Sequence, residues 1–203
     1  MALVAALRAA PWRSLNESRR LHLWFATSAT LALLWSLKTG IKQGLEFHLL
    51  GATAFTLMFG WPLAVIGGCM ALLALTLQQG GAFDAFAFRG LILVTLPILS
   101  SHVVWRLTER RLPNHLFIFF FVSGFGNGAV AMLITGLATT ALYASASVYP
   151  LDYLLSEYLP YFVLMAYPEA MLTGMAVTLM AVYFPWMIEA FDDERYLRRR
   201  GTS

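Results

Sequence analysis

Apolar residues in this chain come in long blocks separated by short polar breaks, and one such block runs from Phe47 to Leu77, thirty-one positions without a formal charge. Blocks of this length match the roughly 30 Å of hydrocarbon in a bilayer, where the backbone must satisfy its own polar groups and therefore coils into helices. The pattern predicts an all-α integral membrane protein, a bundle of about six transmembrane helices at about 21–37, 47–60, 62–79, 90–106, 116–145 and 158–188. The second and third are short because Gly60-Trp61-Pro62 interrupts this block. Proline lacks the amide hydrogen that a continuing helix donates, which predicts either two short antiparallel helices or one kinked helix. The stretch from Gly80 to Gly90 is apolar, glycine-flanked and too short to cross. It predicts either a re-entrant loop that helps form a pocket or an interfacial loop resting on headgroups. Gly124 and Gly128, and then Ala166, Ala170 and Gly174, recur at a spacing that lets the fifth and sixth helices approach closely.

Basic residues decide between the readings of the long block, because lysine and arginine near span ends stay on the cytoplasmic side. Six spans gather Arg8, Arg13, Arg19, Arg20, Arg106, Arg110, Arg111, Arg195, Arg198, Arg199 and Arg200 on one side, against Lys38, Lys42 and Arg89 on the other. One kinked span would instead separate the arginines of the two ends. The expected protein is a single transmembrane domain over 1–203 with both termini cytoplasmic, 1–20 forming a leading segment and 189–203 a charged tail. Asp152 and Glu157, in a connection without basic residues, suit the external side.

Composition narrows the function classes. A chain that is 59% hydrophobic and 12% charged, with a mean hydropathy of +0.68, is not a soluble domain. Met1 to Ala10 is followed by arginines and not by a small-residue cleavage site, so it does not read as a signal peptide. The lone Cys69 excludes an internal disulfide and a Cys-x-x-Cys centre. A net charge of +3 without a basic aromatic stripe argues against nucleic acid. No Gly-x-Ser-x-Gly elbow, His-Glu-x-x-His helix or phosphate-binding glycine loop is present, so no enzyme and no required cofactor is expected.

Two positions carry candidate chemistry. His48 stands where the long block meets water, and the six-span topology separates it from His22, His102 and His115 at the opposite side. It could join Glu46 and Asp84 as a metal site, because imidazole nitrogen suits nickel, cobalt, copper and zinc. Residues two apart project to one side only in an extended segment, which Gly44 permits. The other reading is an interfacial histidine bonded to a loop. Glu169 lies some eleven residues into the sixth span, where an uncompensated carboxylate is costly and marks a substrate pathway by default. Pro168 before it predicts either a new half-helix aiming free amides into the bundle or a kink with Glu169 bonded to a neighbouring helix. Residues 106–111 and 192–200 read as solvated, headgroup-facing ends or as a docking surface.

Phe47-His48-Leu49-Leu50-Gly51-Ala52, a short helix, Gly60-Trp61-Pro62 and a second short helix together resemble the core of the CbiM/NikM-type substrate-binding membrane components of energy-coupling-factor transporters. The loop at 80–90 and Pro168-Glu169-Ala170-Met171-Leu172-Thr173-Gly174 look like later landmarks of that family, and the likeness covers roughly 20–190. The resemblance implies capture of cobalt or nickel in the bacterial inner membrane, with a transmembrane coupling protein and cytoplasmic ATPases as partners and lipid around the bundle. It carries a metal-ligand role to His48. The family's other ligands come from a histidine after the initiating methionine, where this sequence has Ala2, and its additional N-terminal helix has no counterpart beyond Met1 to Ala10. The expected function is a substrate-capture component of an ABC-type transporter, and the rival is a non-transporting scaffold or assembly factor.

Overall fold

The apolar block that Gly60-Trp61-Pro62 interrupts doubles back on itself. The computed structural model describes residues 2–37, 39–42, 45–81 and 83–191, with the backbone alone at 39–42 and 45–47. In it, α1 (Ala2–Ala9) and a tight turn at Trp12–Asn16 lead into α2 (Ser18–Ser36), and α3 (Ala52–Gln78) is broken at Gly60. The φ of 72° and ψ of 164° there belong to a region that only glycine occupies without strain. Pro62 sits in the first turn of the second limb, where its missing N–H costs nothing.

Contacts with α2 establish that the limbs, 52–59 and 61–78, are antiparallel. The Trp24 indole donates to the Leu63 carbonyl at 3.0 Å, and the Trp35 indole to the Leu50 carbonyl at 3.0 Å. Between them, a Cβ added to Gly67 would stand 2.7 Å from Ser28 Oγ and 2.4 Å from the Phe55 ring, and one added to Gly51 would stand 2.9 Å from Leu31. Moving along α2 therefore meets the second limb ascending and the first descending. The two-helix reading of the block holds.

After α2 the chain forms an antiparallel pair, β1 (Thr39–Lys42) with β2 (Leu45–Phe47), in which Thr39 faces Phe47, Gly40 faces Glu46 and Lys42 faces Leu45 across an irregularity. Helix thus starts at Ala52 and not at the expected 47, because the ladder holds the backbone extended through Phe47. Three long helices follow: α4 (Phe86–Arg111), α5 (Leu116–Ser145) and α6 (Leu151–Tyr183). Of the 80–90 stretch, Phe86 onward is helix, and Gly80 and Gly81, with φ of 92° and 78°, make the turn into it. Among the described residues, α4 to α6 have the length and hydropathy of membrane spans, and the two limbs of α3 together are as apolar. The 19-residue α2 measures about 28 Å at about 1.5 Å per residue. With α2 and the doubled α3, six helical segments form the bundle.

The core is the α3 hairpin, with Phe55, Phe59, Leu63 and Leu72 at most 1% exposed. Outward-facing Leu33, Phe121, Val163, Leu164 and Val182 are each more than half exposed, the surface of a protein solvated by lipid. The small residues of α5 and α6 meet as their spacing predicts. A Cβ on Gly124 would stand 3.4 Å from Gly174 Cα, and one on Gly128 3.1 Å from Thr173.

Among the described residues, the charges fall at two ends of the bundle in the arrangement the six-span count gives for them. At one end Arg20 pairs with Glu189, Arg19 lies 3.5 Å over the Trp186 ring, and a cavity of about 300 Å³ is bordered by Pro11, Gly60, Trp61, His102, Arg106 and Glu189. Glu189 and Ala190 N–H groups there donate to the Met58 and Leu57 carbonyls, closing the last turn of the first limb. Arg89 and His48 lie at the other end. The predicted tail residues 192–203 fall outside the described residues.

Candidate functional site

His48 sits between β2 and the first limb of α3. Its Nδ1 lies 3.2 Å from the Leu49 carbonyl and its ring 5.9 Å from Trp35. A carbonyl only accepts, so a hydrogen bond here requires the tautomer that carries its hydrogen on Nδ1.

Directly after His48, the chain is clamped from across the bundle. Leu50 N–H donates to Glu169 Oε2 at 2.7 Å and Gly51 N–H to Oε1 at 2.9 Å, while the Thr173 hydroxyl stands 3.4 Å from Oε1. Glu169 is fully buried. Its donors lie at the start of the first limb, where helical amides lack intrahelical partners and the dipole favours a negative group. The carboxylate of α6 therefore caps another helix and fixes the segment that bears His48.

This geometry corrects the half-helix expectation for Pro168. The helix runs unbroken from Leu151 to Tyr183, and the amides aimed at Glu169 belong to α3. Prolines are tolerated inside membrane helices where neighbours and local adjustment satisfy the freed groups. The surviving alternative is Glu169 bonded to a neighbouring helix, here as an acceptor on both oxygens.

Beside His48 opens a cavity of about 280 Å³ whose polar lining comes from His48, Arg89, Thr139, Tyr143 and Tyr158. Phe88, Ile92 and Leu93 supply an apolar wall. Two π-helical stretches border it, Gly90–Thr95 in α4 and Leu154–Tyr158 in α6, and such insertions recur at functional sites in helices. The loop expected to help form a pocket contributes Ala85, Phe88 and Arg89, from the turn and the start of α4, in place of a dipping excursion. Arg89 donates to Gln79 Oε1 at 2.9 Å.

Of the other expected ligands, Asp84 is exposed on the turn before α4 and does not line the cavity. Glu46 lies in β2 opposite Gly40, so the extended backbone needed for it to act beside His48 is present; its side chain lies outside the described atoms. Among the described residues no group of three His, Cys, Asp and Glu gathers to hold a metal. His102, its ring tilted against those of Trp61 and Trp105, lies at the far end, as the topology requires. Sequence reasoning missed Thr139, Tyr143 and Tyr158 and used Arg89 only as a topological charge. The available signal was the short connection between α5 and α6, which brings Tyr143 and Tyr158 to one end with rings 6.0 Å apart.

These features define a polytopic helical membrane protein with a histidine-bearing cup at one end. Over residues 1–187 the sequence matches the family CbiM, Cobalt uptake substrate-specific transmembrane region, and the chain belongs to that family. It is accordingly a component of metal uptake and not an enzyme. The fold is similar to a crystal structure of a transition metal transporter, at 18% identity and a TM-score of 0.69, over 89% of this chain and 83% of that one. It is also similar to a crystal structure of a truncated transition metal transporter, again at 18% identity and 0.69, over 90% of this chain and 89% of the other. No curated protein matches.

Proposed function

We propose that this chain is the membrane-embedded substrate-capture component of an energy-coupling-factor type ABC transporter, taking up divalent cobalt or nickel through the His48 cavity. The observation that carries the reading is the seating of His48 at a cavity, on a segment whose next two amides are held by Glu169 of the last long helix. Rigid backing of this kind is what a ligand needs if it is to meet an ion in one geometry. The reading places the arginine-rich end, with both termini, on the cytoplasmic side of a bacterial inner membrane, following the excess of basic residues there. A transmembrane coupling protein and ATPases would supply the energy at that face.

The test is metal-dependent thermal stability of the purified protein. Cobalt or nickel at a hundredfold excess over its dissociation constant should stabilise the wild type by about 2.7 kcal/mol. His48→Ala should lose that increment while melting without metal as the wild type does. Equal metal stabilisation of both proteins removes His48 from the site. Co-purification with a coupling protein and ATPases supports transport, whereas stable association with an unrelated membrane complex supports the scaffold alternative.

A further inference from the structure

Unmatched donors gather at the arginine-rich end, around the cavity of about 300 Å³ that the Gly60 bend borders. His102, Trp105 and Arg106 line it from one stretch of α4. Trp105 Nε1 and His102 Nδ1 are shut off from solvent and have no hydrogen-bond partner among the described residues. An indole N–H only donates. Arg106 Nε lies 3.5 Å from His102 Nε2, and a guanidinium also only donates, so a hydrogen bond there requires the tautomer that carries its hydrogen on Nδ1. Two buried donors thus lack an acceptor, a costly state that calls for a partner. Arg106 adds a permanent positive charge, and no carboxylate of the described residues forms an ion pair with it. Glu189, which also borders the cavity, pairs with Arg20.

The surroundings narrow the choice of acceptor. On the same stretch of α4, Val103 and Leu107 face outward, 54% and 44% exposed, and α1, whose Ala9 borders the cavity, exposes Leu3, Val4 and Leu7. Apolar surface therefore flanks a basic pocket at the end of a span. Basic pockets between spans on the cytoplasmic side hold anionic headgroups, and tryptophan suits that depth. About 300 Å³ has room for roughly ten waters, hence for a phosphate with the head of its glycerol. We infer that this cavity binds the phosphodiester of one anionic phospholipid from the cytoplasmic leaflet. The phosphate oxygens accept from Arg106, from Trp105 Nε1 and from His102 Nδ1, the two rings turning their covered nitrogens to the phosphate as it seats. Its acyl chains lie over the apolar flanks of α4 and α1. The inference takes from the functional reading only the cytoplasmic placement of this end, so its failure leaves metal capture as it stands.

The experiment titrates the delipidated full chain in detergent with phosphatidylglycerol, with phosphatidylcholine of the same acyl chains and with inorganic phosphate. Native mass spectrometry counts bound lipid, and thermal unfolding follows each addition. The proteins are the wild type, Arg106→Gln, Trp105→Phe and, as a control outside the cavity lining, Arg110→Gln. The expected result is one phosphatidylglycerol held at least about tenfold tighter than phosphatidylcholine, weakened about tenfold by Arg106→Gln and by Trp105→Phe and unchanged in Arg110→Gln. Equal binding of the two lipids, or equal losses in Arg106→Gln and Arg110→Gln, overturns the inference, since a diffuse basic surface would then suffice. Inorganic phosphate raising the melting temperature as far as phosphatidylglycerol does overturns the lipid as source, the cavity then being a small-anion site. A coupling protein that ceases to co-purify with Arg106→Gln while lipid binding persists overturns it in favour of that protein. The contrast of Arg106→Gln with Arg110→Gln decides the matter even where Trp105→Phe melts too low to titrate.

Discussion

Glu169 shows how a costly residue becomes affordable inside a bilayer. Both carboxylate oxygens accept backbone amides that have no helical partner, so the desolvation of one group satisfies two others. Glu169→Ala orphans the Leu50 and Gly51 amides and should cost about 1–3 kcal/mol for each amide that stays buried. Glu169→Gln keeps one acceptor but turns an NH₂ toward the other amide, so it should fall between the two. Thermal unfolding in detergent together with hydrogen exchange at residues 50–51 measures this, and unchanged exchange in Glu169→Ala would refute the clamp. The sequence made His48 and Glu169 visible as polar exceptions to an apolar pattern. It did not make their connection visible, because Leu50 lies 119 residues from Glu169 and no local spacing encodes that contact. Arg89, Tyr143 and Tyr158 were hidden for another reason: charged and aromatic residues at span ends are ordinary headgroup anchors, and only the folded chain shows that these turn toward one cavity.

Among the elements, the α3 hairpin is the most demanding. Gly60 has room for a methyl group, since the nearest atom to an added Cβ is Glu189 Oε1 at 3.5 Å, yet its backbone angles are those of glycine alone. Gly60→Ala should therefore destabilise by about 1–3 kcal/mol through strain and not through crowding. A melting temperature equal to the wild type would mean that the bend tolerates other angles. The position of the bend was legible because Gly60 and Pro62 are local signals. The start of the first limb was not, since the apolar residues from 47 onward fit a helix, and the strand pairing of Thr39–Lys42 with Leu45–Phe47 overrides that preference. Pro168 misled in the opposite direction: a strong local breaker is absorbed within a helix that packs closely on Gly124 and Gly128 of α5.

For the molecule as a whole, the six-segment path is the feature most fully written in the sequence, because arginine placement and the doubled apolar block each demand it. Arg20 with Glu189, and Arg19 over Trp186, bring the two ends of the described chain to one face. Single cysteines at Asp84 and Arg110, in a Cys69→Ala background, should react with a membrane-impermeant maleimide from opposite sides; labelling of both from one side would break the topology. The clamp on the His48 segment also imposes an order on biosynthesis. Its acceptor belongs to the last long helix, so a nascent chain that has delivered α1 to α5 still has a loose cup. Chains ending at residue 150 should insert but exchange their Leu50 and Gly51 amides rapidly, and the ribosome should thus finish the protein before an ion can be trapped in it.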